Sequence, residues 1–365
     1  MKKSLPCLPA LASLIMATAA IAQSAPAASA DAALQSVSNA TSHDATDGVA
    51  VGDRLLMQAA GQLERRASVS ARLRHQVAID GKQLYGVGSY WQQGSGEELK
   101  VRLELQIAGQ EAKLIQVSNS RFLWIDRRLP TGRNVTRIDL RQLRADPILT
   151  ASNLDEIQPG EANWSAMQPE LTAHSGGLPS LIVALEENFS FLPPQAMRLA
   201  IAPPLASQPT NVPVFAVVGH WKHAQLLALL KNDKAKESGD TESKHEDFAQ
   251  MVHSLPERFP HEVLLLVGQA DLFPYRIEYR RLETPLPSGN DAPPIPYQLS
   301  VHPMVVLELS DVTFDAPIAA GQFDYAPGDA DWVDHTAVLL ERLRRDRRGQ
   351  VATRNNTESL APPRR

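Results

Sequence analysis

The sequence predicts an α+β protein: a strongly curved antiparallel sheet wrapped on its concave side by helices. Three observations predict it. From Ser68 to about Leu140 the chain reads as consecutive strands, each apolar on one side only; in the first, Val69, Ala71, Leu73, Val77 and Ile79 alternate with Ser70, Arg72, Arg74 and Gln76. Successive strand side chains point to opposite faces, so such a sheet buries one face and wets the other. Similar strands resume at 261–309, after a middle stretch with helical periodicity, and a helix pattern closes the chain. The sheet is therefore expected to be continuous but interrupted in sequence by its own cover. Whether that cover is a permanent core or a removable lid over a ligand site decides the function.

The elements follow in order. From Val51 to Arg66, Leu55, Leu56, Ala59, Ala60 and Leu63 recur at helical spacing, with Asp53 near the start. Strands are predicted at 68–80, 83–92, 98–108, 111–118, 121–127 and 134–140, punctuated by Asp80-Gly81, Gly94 to Gly96, Gly109-Gln110 and Asn119-Ser120. Residues 141–176 read as loop with short helical pieces, and Gly176-Gly177 opens a helix from Leu178 to Phe189. Pro193, Pro194, Pro203, Pro204, Pro209 and Pro213 then break the chain repeatedly. Val214 to Val218 reads as a short buried strand, Ala224 to Leu230 as a short helix, and Lys231 to Asp247 as a solvated polar run. Strands return at 261–269, 274–282 and 298–309 around a Pro-rich loop at 284–296, and a helix is predicted from Trp332 to Arg348, with a basic tail behind it.

Composition bounds the class. Lys2 and Lys3, an apolar run from Leu8 to Ile21 and the small residues Ala20-Ile21-Ala22 form the pattern of a secretory signal peptide, predicting export and cleavage near Ala22. The single cysteine, Cys7, would leave with that peptide, so the exported chain would hold no disulfide. Residues 23–48, rich in Ala, Ser, Asp and Thr, read as a disordered leader, and 349–365 as a basic disordered tail. The remaining 49–348 read as one domain with a long helical middle at about 141–260. A formal charge of −5, from which cleavage would remove two further lysines, argues against nucleic acid as a partner. A soluble monomer is expected.

Several local motifs strengthen the reading: Leu84-Tyr85-Gly86-Val87-Gly88-Ser89-Tyr90, Arg121-Phe122-Leu123-Trp124, Arg137-Ile138-Asp139-Leu140, Gly176-Gly177-Leu178-Pro179-Ser180-Leu181, Val218-Gly219-His220-Trp221 and Tyr275-Arg276-Ile277-Glu278-Tyr279. Near the end stand Phe314-Asp315-Ala316-Pro317-Ile318 and Phe323-Asp324-Tyr325-Ala326-Pro327. In their order, and together with the first helix, these resemble the LolA/LolB/LppX-like superfamily of exported bacterial lipoprotein carriers, with the closest resemblance to long, planctomycete-type members. The resemblance implies an open, incomplete β-barrel in the periplasm whose apolar concave face is covered by helices and holds acyl chains or a lipidated protein. No nucleophile, base and metal set converges in the sequence, so no enzymatic activity and no cofactor is expected.

A cavity for acyl chains needs large apolar side chains on one sheet face and a helix able to move away from it. The candidates on the sheet are Leu73, Val77, Tyr85, Val87, Leu103, Leu105, Trp124, Ile277 and Leu307, and on the middle helix Leu181, Leu185 and Phe189. The same residues would serve equally as an ordinary closed core, in which case the chain would be a cell-envelope scaffold or interaction protein with a self-filled interior.

Other motifs favour bland readings. His220 and His223 lie three apart, but no nearby carboxylate or cysteine completes a zinc set. His174-Ser175-Gly176-Gly177 lacks the surroundings of a nucleophile elbow, and Gly86-Val87-Gly88 lacks the rest of a dinucleotide fingerprint. Asp324, Asp329, Asp331 and Asp334 do not match a calcium loop, and Asp331 is expected to cap the last helix. Arg342, Arg344, Arg345, Arg347 and Arg348 would complement that helix's C-terminus, or else give transient contact with anionic lipid headgroups at a membrane surface.

Overall fold

A computed structural model describes residues 45–79, 82–146, 176–201, 210–234, 251–252, 255–257, 259–283 and 300–344. The predicted signal peptide, most of the predicted leader, His174-Ser175, the polar run beyond 234 and the basic tail lie outside the described residues. The described residues open with α1 (Ala45–Arg65) and a six-strand meander: β1 (Ser68–Ile79), β2 (Lys82–Gln93), β3 (Lys100–Ile107), β4 (Lys113–Asn119), β5 (Phe122–Leu129) and β6 (Gly132–Asp139). Next come α2 (Leu140–Arg144), α3 (Gly177–Asn188), β7 (Phe189–Phe191), β8 (Gln195–Ile201), β9 (Thr210–Trp221) and α4 (His223–Lys234). The chain continues through β10 (Glu262–Gly268), β11 (Pro274–Glu283), β12 (Ser300–Phe314), β13 (Trp332–Asp334) and a helix at 336–344.

Among the described residues all thirteen strands belong to one open, curved sheet, ordered β13-β6-β5-β4-β3-β2-β1-β12-β11-β10-β9-β7, with β8 also pairing β9. Every pairing is antiparallel except that of β13 with β6. The meander and the returning strands join where β1 pairs β12, Leu73 facing Leu309 and Val77 facing Val305. The sheet is thus continuous across its own cover, as the sequence predicts.

Residues directly opposite one another on neighbouring strands point to the same face. One such row runs Leu309, Leu73, Gly88, Leu105, Leu114, Arg127, and the next holds Leu307, His75, Gly86 and Ile107. This inner face carries the helices. In α1, Leu56, Ala59, Ala60 and Leu63 repeat at positions one turn apart and are at most 2% exposed, and Leu178, Leu181, Ile182 and Leu185 form a like stripe in α3, at most 4% exposed. The two apolar stripes belong to one cluster with the inner sheet face, which is the burial that fixes both helices. Gly52 lets α1 approach β7 closely, since a Cβ there would strike the carbonyl oxygens of Phe191 and Leu192, and Asp53 Oδ1 beside it accepts the Phe191 amide at 2.8 Å.

Three expectations are corrected. The predicted helical middle contains a sheet region: β7 and β8 lie along one edge of β9, and β9 runs from Thr210 to Trp221, well beyond Val214–Val218. The prolines misled because they sit beside or between the ladders: Pro193 and Pro194 fall between β7 and β8, and Pro213, in β9, lies just past the Gly268–Val214 end of the β10 ladder. Trp332 starts no helix; 332–334 form β13, and the helix begins at 336. Asp331 therefore caps nothing there, and Asp334 Oδ1 instead accepts the Thr336 amide at 2.9 Å. Lastly, α1 starts at Ala45, ahead of Val51 and inside the segment read as leader.

The outer face has its own cover. Along β4 and β5, Ile115, Val117, Trp124 and Asp126 point away from the helices yet are buried. The segment between β12 and β13 lies over them: Phe323 is 2% exposed, the Tyr325 ring stands 5.4 Å from that of Trp124, and Arg102 Nη1 donates to the carbonyls of Gln322 and Asp324. Asp126 is wholly buried and accepts from Arg128 and Arg133, whose hydrogen bonds outweigh its burial and hold its carboxyl below the ordinary carboxylate range. On the other half of the sheet, Leu199, Ile201, Val214, Leu264 and Leu266 form a separate small outer cluster.

Candidate functional site

The inner face is incompletely filled. Two cavities adjoin there, with about 530 Å³ and 560 Å³ of empty space, part of it open to solvent. Both are walled by His75 and Leu105. The first lies over β1 to β5, lined chiefly by Val77, Leu84, Gly86, Leu105, Ile107 and Leu114, with Lys113, Arg127 and Arg128 along it. The second lies beneath the start of α3, where Gly177, Leu178 and Leu181 face Leu73, Leu103, Leu307 and Leu309.

The floor beside the cavities is shaped by β2. Its inward positions read Leu84, Gly86, Gly88 and Tyr90, and two glycines in succession leave the sheet without side chains opposite His75 and Leu73. An added Cβ at Gly86 would meet Leu105 Cδ1 at 2.8 Å, and one at Gly88 would collide with the Glu104 carbonyl. Close backbone and side-chain approach therefore explains the Gly86-Val87-Gly88 run.

The helices are tied to this floor by a buried polar relay. The Leu178 amide, in the first turn of α3, donates to Tyr90 Oη at 3.0 Å; Tyr90 donates to Gln92 Oε1 at 2.6 Å; Gln92 Nε2 donates to the Leu63 carbonyl of α1 at 3.4 Å. Burial pushes the Tyr90 hydroxyl well above the ordinary phenol range, so it stays protonated and able to bridge. Gly177 permits the contact, because its φ of 61° is left-handed and a Cβ would run into the Tyr90 hydroxyl.

His75 is the unusual wall residue. It is 5% exposed, its Nε2 has no hydrogen-bond partner among the described residues, and burial pushes its imidazole down to about 4, so it is neutral at pH 7. Tyr279 Oη is likewise buried without a partner, but it does not line either cavity.

The structure gathers Leu73, Val77, Tyr85, Leu103, Leu105, Leu181 and Leu307 around the cavities. Tyr85 sits at the edge, 39% exposed, its hydroxyl bonded to Gln83. Val87 is corrected to the outer face, 55% exposed, because the inner positions of β2 are the even-numbered ones. Trp124 is also on the outer face, paired with Val117 and packed against Tyr325 and Trp332. Leu185, Phe189 and Ile277 are core: each is at most 1% exposed, and Phe189 stacks on Trp221 with ring centroids 4.4 Å apart. Sequence reasoning passed over His75 and Arg127, although parity with Leu73 and Val77, and with Leu123 and Ile125, places both on the inner face.

Other motifs fall away from the cavities. His220 ends its strand pairing opposite Glu262 while His223 starts α4, so the two share no helix face. Among the described residues no group of three or more His, Cys, Asp or Glu is placed to hold a metal, and no helix is long and apolar enough to cross a membrane. Arg344 is committed to the buried Asp146 after α2.

No protein-family model matches this chain, and no curated protein matches it. Among solved structures, a DUF1329 family protein from Desulfovibrio piger aligns over 77% of this chain and 98% of its own, at 12% identity and a TM-score of 0.31. A domain named for outer membrane lipoprotein sorting, from Vibrio parahaemolyticus, aligns over 76% of this chain and 97% of its own, at 9% identity and a TM-score of 0.29.

Proposed function

We propose that this protein is an exported, non-enzymatic carrier that shields acyl chains, free or attached to a lipidated protein, between its sheet and α3. The observation that carries the reading is the pair of adjoining apolar cavities under a helix whose first turn is hydrogen-bonded to Tyr90 of the sheet. Affinity would come from burial: each methylene moved from water contributes about 0.8 kcal/mol, so a long chain binds without any charged contact. Uptake and release require the first turn of α3 to part from Tyr90, opening the second cavity.

Native mass spectrometry and lipid extraction of the purified protein should find bound acyl lipid, and a fluorescent acyl probe should enter the emptied protein. Protein that is lipid-free as purified and takes up no probe would sink the reading, and would favour a scaffold whose interior closes on itself.

A further inference from the structure

We propose that His75 is the polar anchor of the cavity, donating a hydrogen bond from Nε2 to the carbonyl oxygen of an ester or carboxyl group on the bound acyl chain. The inference rests on the carrier reading and names the chemical class of its ligand. His75 is 5% exposed, its Nε2 lacks a partner among the described residues, and it stands where the two cavities adjoin. Its neighbours across the strands are Leu307 on one side and Gly86 on the other. Leucine offers no polar atom, and glycine no side chain, so neither cross-strand neighbour can partner the buried ring edge at the cavity wall. A buried polar group without a partner is costly, and a ligand that supplies one recovers that cost. The surroundings fix the direction of the chain. The second cavity is walled mainly by leucines, with Tyr90 and Gln116 beside them, and suits the hydrocarbon tail; Lys113, paired with Glu104, and Arg127 and Arg128, the latter paired with Asp126, border the first, on the side suited to the polar end of the ligand. A carbonyl belongs at the junction between tail and head, which is where His75 stands.

The test is displacement of N-phenyl-1-naphthylamine from the purified protein by methyl dodecanoate and by n-tridecane, which match closely in length but differ in the carbonyl. The ester should displace the probe at about tenfold lower concentration, the value of one good hydrogen bond, and His75→Leu should erase that difference while still binding the alkane. In the unmutated protein with ¹⁵N-labelled histidine, the ester but not the alkane should move one Nε2 resonance, a readout independent of whether the variant folds. Equal displacement by ester and alkane, with no histidine shift, would overturn the anchor alone. Absence of any probe binding would remove the carrier reading and the anchor with it.

Discussion

Tyr90 and Leu178 are 88 residues apart in sequence, yet the tyrosine hydroxyl accepts the leucine amide at 3.0 Å inside the protein. A free amide at a helix N-terminus is thereby satisfied by the sheet the helix covers. Tyr90→Phe keeps the ring and removes the bridge, leaving the Leu178 amide and Gln92 Oε1 buried without it. Stability should fall by about 1–3 kcal/mol in urea unfolding. Probe uptake should become faster at unchanged final occupancy, since the cavity walls remain.

Leu105 walls both cavities, so enlarging it tests whether the space is used. Leu105→Trp should abolish or strongly reduce acyl-probe binding at a stability cost of about 1–3 kcal/mol from overpacking. The probe's fluorescence titration reads the first effect, and urea unfolding the second.

Two groups give stability opposite slopes with pH. His75 is pushed by burial to about 4 from 6.5, so the unfolded chain binds a proton more readily between those values, and stability is lost as pH falls through that window, by about 3 kcal/mol in all. Glu187, on α3, is pushed up to about 7 from 4.5, first by burial and then by the charge of Glu186. Its contribution is fully present below 4.5 and lost as pH rises through 7. Denaturant unfolding at pH 4.5 and pH 8 separates them: His75→Leu should gain most at the lower pH, and Glu187→Gln should gain at the higher, by about 1 kcal/mol after allowance for partial exposure.

Asp126 serves as the control on the opposite face. Asp126→Ala strips the buried partner from Arg128 and Arg133, both partly exposed. A loss of about 1–3 kcal/mol is expected, with probe affinity changed far less than by Leu105→Trp, because Arg128 alone of the cavity's border loses its partner. A change in affinity as large as that of Leu105→Trp would mean that the two faces of the sheet are not independent.

The meander was legible because alternation, short turns and hairpin connections agree from β1 to β6, and the return of strands after the interlude correctly joined them into one sheet. Parity was also in the sequence but was overruled by hydrophobicity. Val87 looked like a wall residue because it is apolar, whereas parity gives the inward positions to Gly86 and Gly88. His75 was passed over because a polar residue broke an apolar row, and that break is the site's distinguishing feature. Trp124 shows the other limit: a second cover, drawn from residues after β12, buries the outer face too, and no local pattern in β5 announces it. The strands β7 and β8 were hidden because prolines beside a sheet edge resemble prolines in a loop.

The pairing of β1 with β12 has a consequence for how the protein is made. Val69 meets Phe314 and Leu73 meets Leu309, so the central seam of the sheet joins segments synthesised far apart. The six-strand meander can pair from local contacts as it emerges, but one edge of β1 then stays unpaired, beside an uncovered apolar face, until almost the whole chain has followed. Slow closure of that seam, with the risk of sticking to other chains meanwhile, is the kinetic cost of placing the first and last long strands side by side.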